Sequence, residues 1–293
     1  PTLEVKKRKG RRDCSFRLRF AYEEYRDLSL RDEPLDRRLA LAVDLGINND
    51  AVCSVMAADG AILGRRFINF PREKDRMNHL LNKQRGEQRD HGRYGGRRTW
   101  DQINNLNDQL SANIARAIVD MAVEHGVNVI VFEALDFHGR IRGRKAQRLH
   151  LWRKRAIQDM VEHKAHRNLI RISRVCAWGT SRLAFDGSGE ILRGRVNLTN
   201  DELAALIAME TKDRKKAKGR PETHCGQERC TFLNGKEYNC DLSASYNIGA
   251  RYFLREWCKV TPGLEETLPK TTQRTYANLK ALKPQHSYRK AAA

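Results

Sequence analysis

The sequence predicts an α/β fold in which a mixed β-sheet is flanked by helices. Two short apolar runs, residues 39–43 and 127–132, have the composition of buried strands. Apolar side chains recur three or four positions apart over residues 101–125, which predicts a long helix that Gly126 ends. A helix that leads into a buried strand is typical of a sheet with helices on its faces.

The segments around this core are assigned by the same patterns. Residues 51–56 and 61–70 are predicted strands on either side of an Asp59-Gly60 turn, so that the first three strands form a meander. Residues 91–98 are rich in Gly and Arg and are predicted to form a loop. The other predicted elements are helices at 71–89, 200–209 and 242–257 and a strand at 169–175.

The charge of the chain indicates a polyanionic partner. Its 293 residues include 56 Lys and Arg against 36 Asp and Glu, which gives a net charge of +20. Nucleic acid is the first expectation for such an excess. No apolar run approaches the roughly 18 residues of a membrane span, and no signal peptide is recognisable. The seven scattered cysteines suit a reducing compartment, so we expect a cytoplasmic protein without a membrane partner.

Three acidic residues stand at the ends of predicted elements. Asp44 follows the first buried strand, Glu133 follows the strand after the long helix, and Asp241 precedes the 242–257 helix. A buried carboxylate needs a counter-charge, and hard oxygen ligands favour magnesium or manganese over zinc. Two such ions about 3.5–4 Å apart can promote phosphodiester hydrolysis. Each acid alone has a simpler interpretation as a turn former or helix cap, and Asp241 is an N-cap candidate.

Three segments carry a resemblance to a known family. They read AVDLGIN at residues 42–48, VIVFEAL at 129–135 and NCDLSASYNIGA at 239–250, with Thr180-Ser181 ahead of the third. In this order they resemble the three parts of the split RuvC-like nuclease domain of transposon-encoded TnpB proteins and compact type V CRISPR effectors. The match covers roughly residues 39–256.

The resemblance implies an RNase H-like (RuvC) mixed sheet in which Asp44, Glu133 and Asp241 are the catalytic residues and bind two magnesium or manganese ions. It implies an RNA-guided DNA endonuclease of the prokaryotic cytosol or nucleoid, whose partners are a guide RNA and a target DNA. The alternative is a guide-RNA-directed DNA-binding protein, or a transposition accessory, that does not cleave. Retention of all three acids favours the enzyme.

The resemblance also divides the chain. Residues 1–38 are expected to be the end of a preceding β-barrel domain, 39–185 and 241–258 the split nuclease domain, 186–240 an irregular insert that resembles a degenerate zinc finger, and 259–293 a flexible tail. Relatives have a helical lobe and a DNA-reading barrel before the first catalytic strand. We therefore expect a missing N-terminal recognition lobe or a second subunit to supply that function.

The insert departs from the zinc-binding pattern of the family. The first cysteine pair is missing after Thr180-Ser181, and Ser243 stands where relatives usually have Asn. The zinc ligands that remain available are His224, Cys225, Cys230 and Cys240. Because half of the pattern is lost, free thiols are the alternative that the sequence favours.

A basic segment that follows Glu133 is the predicted nucleic-acid-binding region. It is expected to follow a phosphate backbone while an aromatic ring stacks on a base, with an ordinary solvated surface as the alternative. Its members are Arg140, Arg142, Arg144, Lys145, Arg148, Trp152, Arg153, Lys154 and Arg155.

Overall fold

The structure, a computed structural model, describes residues 2–7, 14–20, 25–28, 32–46, 49–92, 96–134, 153–209 and 228–282. Its strands are β1 (Thr2–Lys7), β2 (Cys14–Arg19), β3 (Leu39–Asp44), β4 (Ala51–Ala57), β5 (Ile62–Ile68), β6 (Val129–Ala134), β7 (Arg171–Cys176), β8 (Leu192–Arg193), β9 (Arg229–Thr231) and β10 (Glu237–Asn239). Its helices are α1 (Pro71–His91), α2 (Arg97–Glu124), α3 (Lys154–Arg167), α4 (Asn200–Ala208), α5 (Cys240–Val260), α6 (Leu264–Thr267) and α7 (Tyr276–Ala281).

A five-stranded sheet in the order β5-β4-β3-β6-β7 forms the centre of the molecule. Strands β3, β4 and β5 are the predicted antiparallel meander, and Gly60 adopts a φ of 81° in the turn between β4 and β5. Strands β6 and β7 run parallel to β3, and the helices α2 and α3 provide the crossovers that parallel strands require. The predicted fold class, an RNase H-like mixed sheet flanked by helices, is confirmed.

Side-chain alternation gives the sheet two different buried faces. Leu41 and Val43 in β3 and Phe132 in β6 point toward α2 and α3, where they pack with the apolar stripe of α2 that the sequence predicted. Ala40 and Ala42 point the opposite way and pack against α5. The sheet is therefore the middle layer of three.

Helix α5 lies unusually close to the sheet because small residues meet at the crossing. A Cβ atom on Gly249 would be 2.9 Å from Met56 Cε and 3.2 Å from the Cβ of Ala42. Those distances are shorter than ordinary van der Waals contacts, so a side chain at this position would force Met56 to shift. The close approach brings the first turn of α5 to the edge of the sheet where β3 and β6 end.

Several element boundaries differ from the predictions. Helix α2 begins at Arg97 rather than near 101, so the expected loop at 91–98 is shorter, although residues 93–95 lie outside the described part. Helix α5 begins at Cys240 rather than 242 because the Asn239 side chain accepts a hydrogen bond from the backbone N–H of Leu242 at 2.9 Å. Asn239, not Asp241, is the N-cap.

The tail after Lys259 was expected to be flexible, but up to Leu282 it is folded against the core. The backbone N–H of Tyr276 donates to Asn247 Oδ1 at 3.0 Å, and the Tyr276 hydroxyl donates to the carbonyl of Gly60 at 2.5 Å. Leu279 of α7 is buried in the cluster around α5. The apolar periodicity of α7 was missed because the helix has only six residues.

Two smaller units stand apart from the central sheet. Strands β8, β9 and β10 form a three-stranded sheet in the order β10-β9-β8 within the predicted insert. Strands β1 and β2 form an antiparallel hairpin within the segment predicted to end a β-barrel, an assignment that remains a prediction. In the parts of the chain that the structure describes, no helix is both long and apolar enough to cross a bilayer.

Candidate active site

The sheet brings Asp44 and Glu133 together at one edge. Val43 lies opposite Phe132 in the parallel pair β3–β6, so the acids that follow them lie at the same level. Asp44 is the last residue of β3, and Glu133 is the last but one of β6. By alternation, Asp44 shares the face of Ala42, and Glu133 shares the face of Val131, which is the face covered by α5. Both side chains are buried at the carboxyl edge of the sheet.

Asp241 reaches the same place from helix α5. It lies in the first turn, one residue after Cys240, and is half-buried. Because Asn239 caps the helix, the Asp241 carboxylate is available for other contacts, and Asn49 Nδ2 in the β3–β4 connection donates to its Oδ2 at 3.4 Å. The three acids predicted from the sequence therefore converge from three separate segments.

The electrostatics of this cluster reflect its negative charge. Burial, together with the carboxylates of Glu133 and Asp241, raises the pKa of Asp44 to about 8. Lys154, the first residue of α3, and Arg193 in β8 act in the opposite direction. Burial lowers the pKa of Lys154, while Asp44, Glu133 and Asp241 each act to raise it, so this ammonium faces all three acids.

Glu133 is held by contacts on both its side chain and its backbone. Thr180 Oγ1 contacts a carboxylate oxygen of Glu133 and also lies 2.9 Å from the carbonyl oxygen of Ala177. Gln158 in α3 donates from Nε2 to the backbone carbonyl of Glu133 at 3.2 Å. Gln158 is one helical turn after Lys154, so the same face of α3 presents both residues to this edge of the sheet.

Two buried residues of α5 hold the loop that carries Thr180. Asn247 donates from Nδ2 to the carbonyls of Thr180 and Leu183 at 2.9 and 2.8 Å. Arg251 is 2% exposed. Within the part of the chain that the structure describes, all of its hydrogen bonds go to backbone carbonyls. These carbonyls belong to Cys176, Trp178, Thr272 and Arg274, at distances of 2.7 to 3.0 Å.

The donor set of the three acids fits a hard divalent cation. Only oxygen ligands are offered by the three acids, and burial together with their mutual repulsion raises the pKa of Asp44 to about 8. Within the described ranges, however, no three Asp, Glu, His or Cys side chains stand close enough together to form a ready-made metal cluster. As they stand, the carboxylates are balanced by Lys154 and would have to turn toward a metal ion.

The predicted nucleic-acid-binding segment falls mostly outside the described residues. Arg140, Arg142, Arg144, Lys145, Arg148 and Trp152 all lie there. Of the remaining three, Arg153 pairs with Asp108 in α2, Lys154 faces the acids, and Arg155 is exposed. Binding of nucleic acid by this segment remains a prediction.

The zinc hypothesis is left untested by the structure. His224 and Cys225 lie outside the described residues, whereas Cys230 and Cys240 are buried in an apolar cluster with Ala184 and Phe232. A hydrogen bond between the two thiols raises the pKa of Cys230 and lowers that of Cys240. The Ser243 hydroxyl, in the position where relatives usually have Asn, accepts from the backbone N–H of Phe185 at 3.2 Å.

Sequence analysis missed the residues that support the acids. Lys154 was assigned to a phosphate-binding run, and Arg251, Asn49 and Gln158 were not singled out. One signal was available: three basic residues in succession at the start of a helix oppose its dipole, which indicates nearby negative charge. The contacts of Arg251 have no comparable signal, because they join segments that are far apart in the chain.

The strand order and the flanking helices define an RNase H-like fold. The chain is similar to the TnpB-like protein aq_aa05 of Aquifex aeolicus (strain VF5), with 28% identity over an alignment 146 positions long. The match covers 43% of this chain and 47% of that protein. This similarity confirms the resemblance to transposon-encoded TnpB proteins. No family model matches the chain.

Solved structures with some similarity to the chain include two Cas12f complexes and a RuvC protein. Cas12f1 in complex with sgRNA and target DNA has a TM-score of 0.47 at 18% identity and covers 74% of this chain and 50% of that one. A CRISPR-Cas12f ternary complex has a TM-score of 0.42 at 17% identity, and the match covers 84% of this chain and 44% of that one. Thermus thermophilus RuvC has a TM-score of 0.27 at 11% identity, and the match covers 73% of this chain and 96% of that one. The chain spans about half the length of the TnpB-like and Cas12f relatives.

Proposed function

We propose that the chain is the RuvC-like nuclease module of an RNA-guided DNA endonuclease. In this proposal Asp44, Glu133 and Asp241 bind two magnesium or manganese ions and catalyse hydrolysis of phosphodiester bonds in DNA. A guide RNA selects the target by base pairing, and the net charge of +20 suits a protein that holds nucleic acid through its backbone.

The observation that carries the proposal is the meeting of three acids from distant segments. Two lie near the carboxyl ends of neighbouring parallel strands on the same face, and the third lies in the first turn of the helix that covers this face. Their burial and mutual repulsion are unfavourable for folding by themselves, as the raised pKa of Asp44 indicates. An arrangement that costs stability and gathers oxygen ligands is typical of a functional site.

Each residue has a part that follows from its contacts. Bound metal ions would supply Lewis-acid stabilisation of the attacking and leaving oxygens. The carboxylates of Asp44, Glu133 and Asp241 would hold the ions, while Thr180 fixes the orientation of Glu133 and Asn49 that of Asp241. Lys154 must withdraw from the carboxylates when the ions bind, and its long side chain allows this.

One observation favours the alternative of guided DNA binding without cleavage. The described acids are balanced by Lys154 and do not form a ready-made metal cluster. If Lys154 remained among the carboxylates, the chain would hold nucleic acid without cutting it. The two candidates differ in one measurable property, which is metal-dependent cleavage.

A matched pair of variants tests cleavage. The protein is purified with its bound RNA, incubated with DNA that carries a sequence complementary to that RNA, and given Mg²⁺. We expect the parent to cut and Asp44→Asn to lose cutting by about a thousand-fold, since metal-ion catalysis supplies several kcal/mol. Asp50→Asn is the control, because Asp50 is also a buried acid near this edge but pairs with Lys74 at 3.0 Å. Equal cutting by parent and Asp44→Asn would exclude the nuclease.

The guide is tested separately by sequencing the RNA that co-purifies with the protein. A defined RNA with a constant scaffold and a variable end would support guided targeting. A random sample of cellular RNA would contradict it, whatever the result of the cleavage assay.

A further inference from the structure

The face of β5 beside the candidate active site is uncovered. Leu63 and Phe67 are 55% and 47% exposed, although Val52 beside Phe67 in β4 is buried. Arg66 on the same strand points the other way, because it pairs with Glu124 of α2 at 2.7 Å. Arg65 and Phe67 lie opposite Ser54 and Val52 and therefore share the face that carries the acids, beyond the part that α5 covers.

The strand register places Phe67 in line with the catalytic candidates. Phe67 lies opposite Val52 in the β4–β5 pair, and Val52 lies opposite Asp44 in the β3–β4 pair. With strands about 4.8 Å apart, the backbone at Phe67 is about 10 Å from that at Asp44. This separation suits a nucleotide that adjoins the one whose phosphate is at the acids.

Arg65 provides a positive charge beside the Phe67 ring. Its guanidinium lies 5.6 Å from the centre of the Tyr246 ring in α5. No carboxylate of a described residue forms an ion pair with it, whereas Arg66 on the opposite face has one. The charge of Arg65 is therefore oriented by an aromatic ring and remains available to a phosphate.

A second exposed aromatic side chain follows β7, the strand that lies on the opposite side of β6 from β3. Trp178 follows β7, next to the Thr180 that contacts Glu133, and is 59% exposed. Its carbonyl accepts a hydrogen bond from Arg251 at 2.7 Å, so its backbone is held. The Arg182 guanidinium lies 5.5 Å from the centre of the indole ring. Exposed aromatic rings with arginine beside them are typical of surfaces on which unpaired bases stack.

We propose that Phe67, Arg65 and Trp178 form a platform for single-stranded DNA that passes over the three acids, with one base on Phe67, another on Trp178 and a phosphate at Arg65. This proposal rests on the proposed function, which makes DNA the substrate. A duplex keeps its bases stacked on each other and cannot use the rings, so the platform selects a single strand.

The experiment measures DNA binding without cleavage. The full chain is titrated into a fluorescein-labelled oligothymidylate in EDTA, and binding is followed by fluorescence anisotropy at several salt concentrations. We expect Phe67→Ala and Trp178→Ala each to weaken binding about ten-fold, the effect of losing one stacked base. Phe67→Tyr should keep the affinity. Arg65→Ala should lower the slope of log K against log salt by about one.

Arg66→Ala is the matched control, since it removes the same charge from the same strand on the opposite face. The proposal is overturned if the parent fails to bind, if the three platform variants bind like Arg66→Ala, or if the losses occur only with an oligoribonucleotide. The binding measurement is made in EDTA, so it does not depend on cleavage. The platform can therefore be confirmed even if the cleavage assay excludes the nuclease, and the reverse also holds.

Discussion

The two faces of the central sheet differ in how they are built. Toward α2 and α3 the contacts are apolar, and large side chains such as Phe132 and Ile118 are fully buried. Toward α5 the sheet presents small residues, and the helix contributes Asn247 and Arg251 with all their hydrogen bonds made to the protein backbone. Both faces bury apolar side chains, and the second also fixes the position of a loop and of three acids.

This difference shows which interactions the candidate site depends on. A close-packed apolar face tolerates changes that conserve volume, because it depends on area removed from water. A network of buried hydrogen bonds depends on direction, since each lost partner leaves a carbonyl unsatisfied. Substitutions on the first face should lower stability alone, and those on the second should alter stability and the site together.

The largest effect on stability is expected from Phe132→Ala on the apolar face. Phe132 is fully buried against α2 and α3, so the free energy of unfolding should fall by about 3–5 kcal/mol. The measurement is unfolding in urea. Folded protein should still bind Mn²⁺ as the parent does. A loss below about 1 kcal/mol would mean that this face does not supply the stability of the sheet.

Arg251→Leu on the other face should lower the free energy of unfolding by about 2–3 kcal/mol, because buried carbonyls lose their donor. It should also reduce cleavage, since the Cys176 and Trp178 carbonyls it holds belong to the loop that carries Thr180. Arg251→Lys is the informative control, because it keeps the charge but cannot bridge several carbonyls. Full cleavage in Arg251→Leu would show that the loop needs no such support.

Phe132 and Arg251 also differ in how well their surroundings could be predicted from the sequence. The strands that carry Asp44 and Glu133 and most of α2 could be predicted, because apolar runs and helical periodicity are local signals. The α5 start was misplaced by two residues, since Asn239 and Asp241 are both acceptable caps. Arg251 and Lys154 could not be assigned, because their partners come from distant segments and are defined only by the folded chain.

The pH dependence of stability sharpens the comparison at the acids. The pKa of Asp44 is about 8 in the folded state against 3.8 as the ordinary value. The folded state therefore binds the proton more tightly, and metal-free stability should fall as pH rises toward 8, by about 1 kcal/mol per pH unit. In Asp44→Asn this slope should disappear. The check is urea unfolding in EDTA between pH 6 and 8. If the free energy of unfolding has the same slope against pH in the parent and in Asp44→Asn, then Asp44 is not a buried acid with a raised pKa.

The smallest effect is expected from Thr180→Val, which keeps the shape of the side chain but removes its hydroxyl. Loss of the contact with Glu133 should lower the free energy of unfolding by about 1 kcal/mol and cleavage by about ten-fold. Thr180→Ser should behave like the parent. If both variants cleave equally, Glu133 is positioned by other contacts, such as that of Gln158 with its backbone.

The central claim is that three acids from distant segments form one cation-binding pocket. Mn²⁺ binding, followed by electron paramagnetic resonance, tests it directly with the parent, Asp44→Asn, Glu133→Gln, Asp241→Asn and the control Asp50→Asn. The parent and the control should bind Mn²⁺ alike, and each of the three site variants should bind it at least ten-fold more weakly. Unchanged Mn²⁺ affinity in the three site variants would contradict a shared pocket.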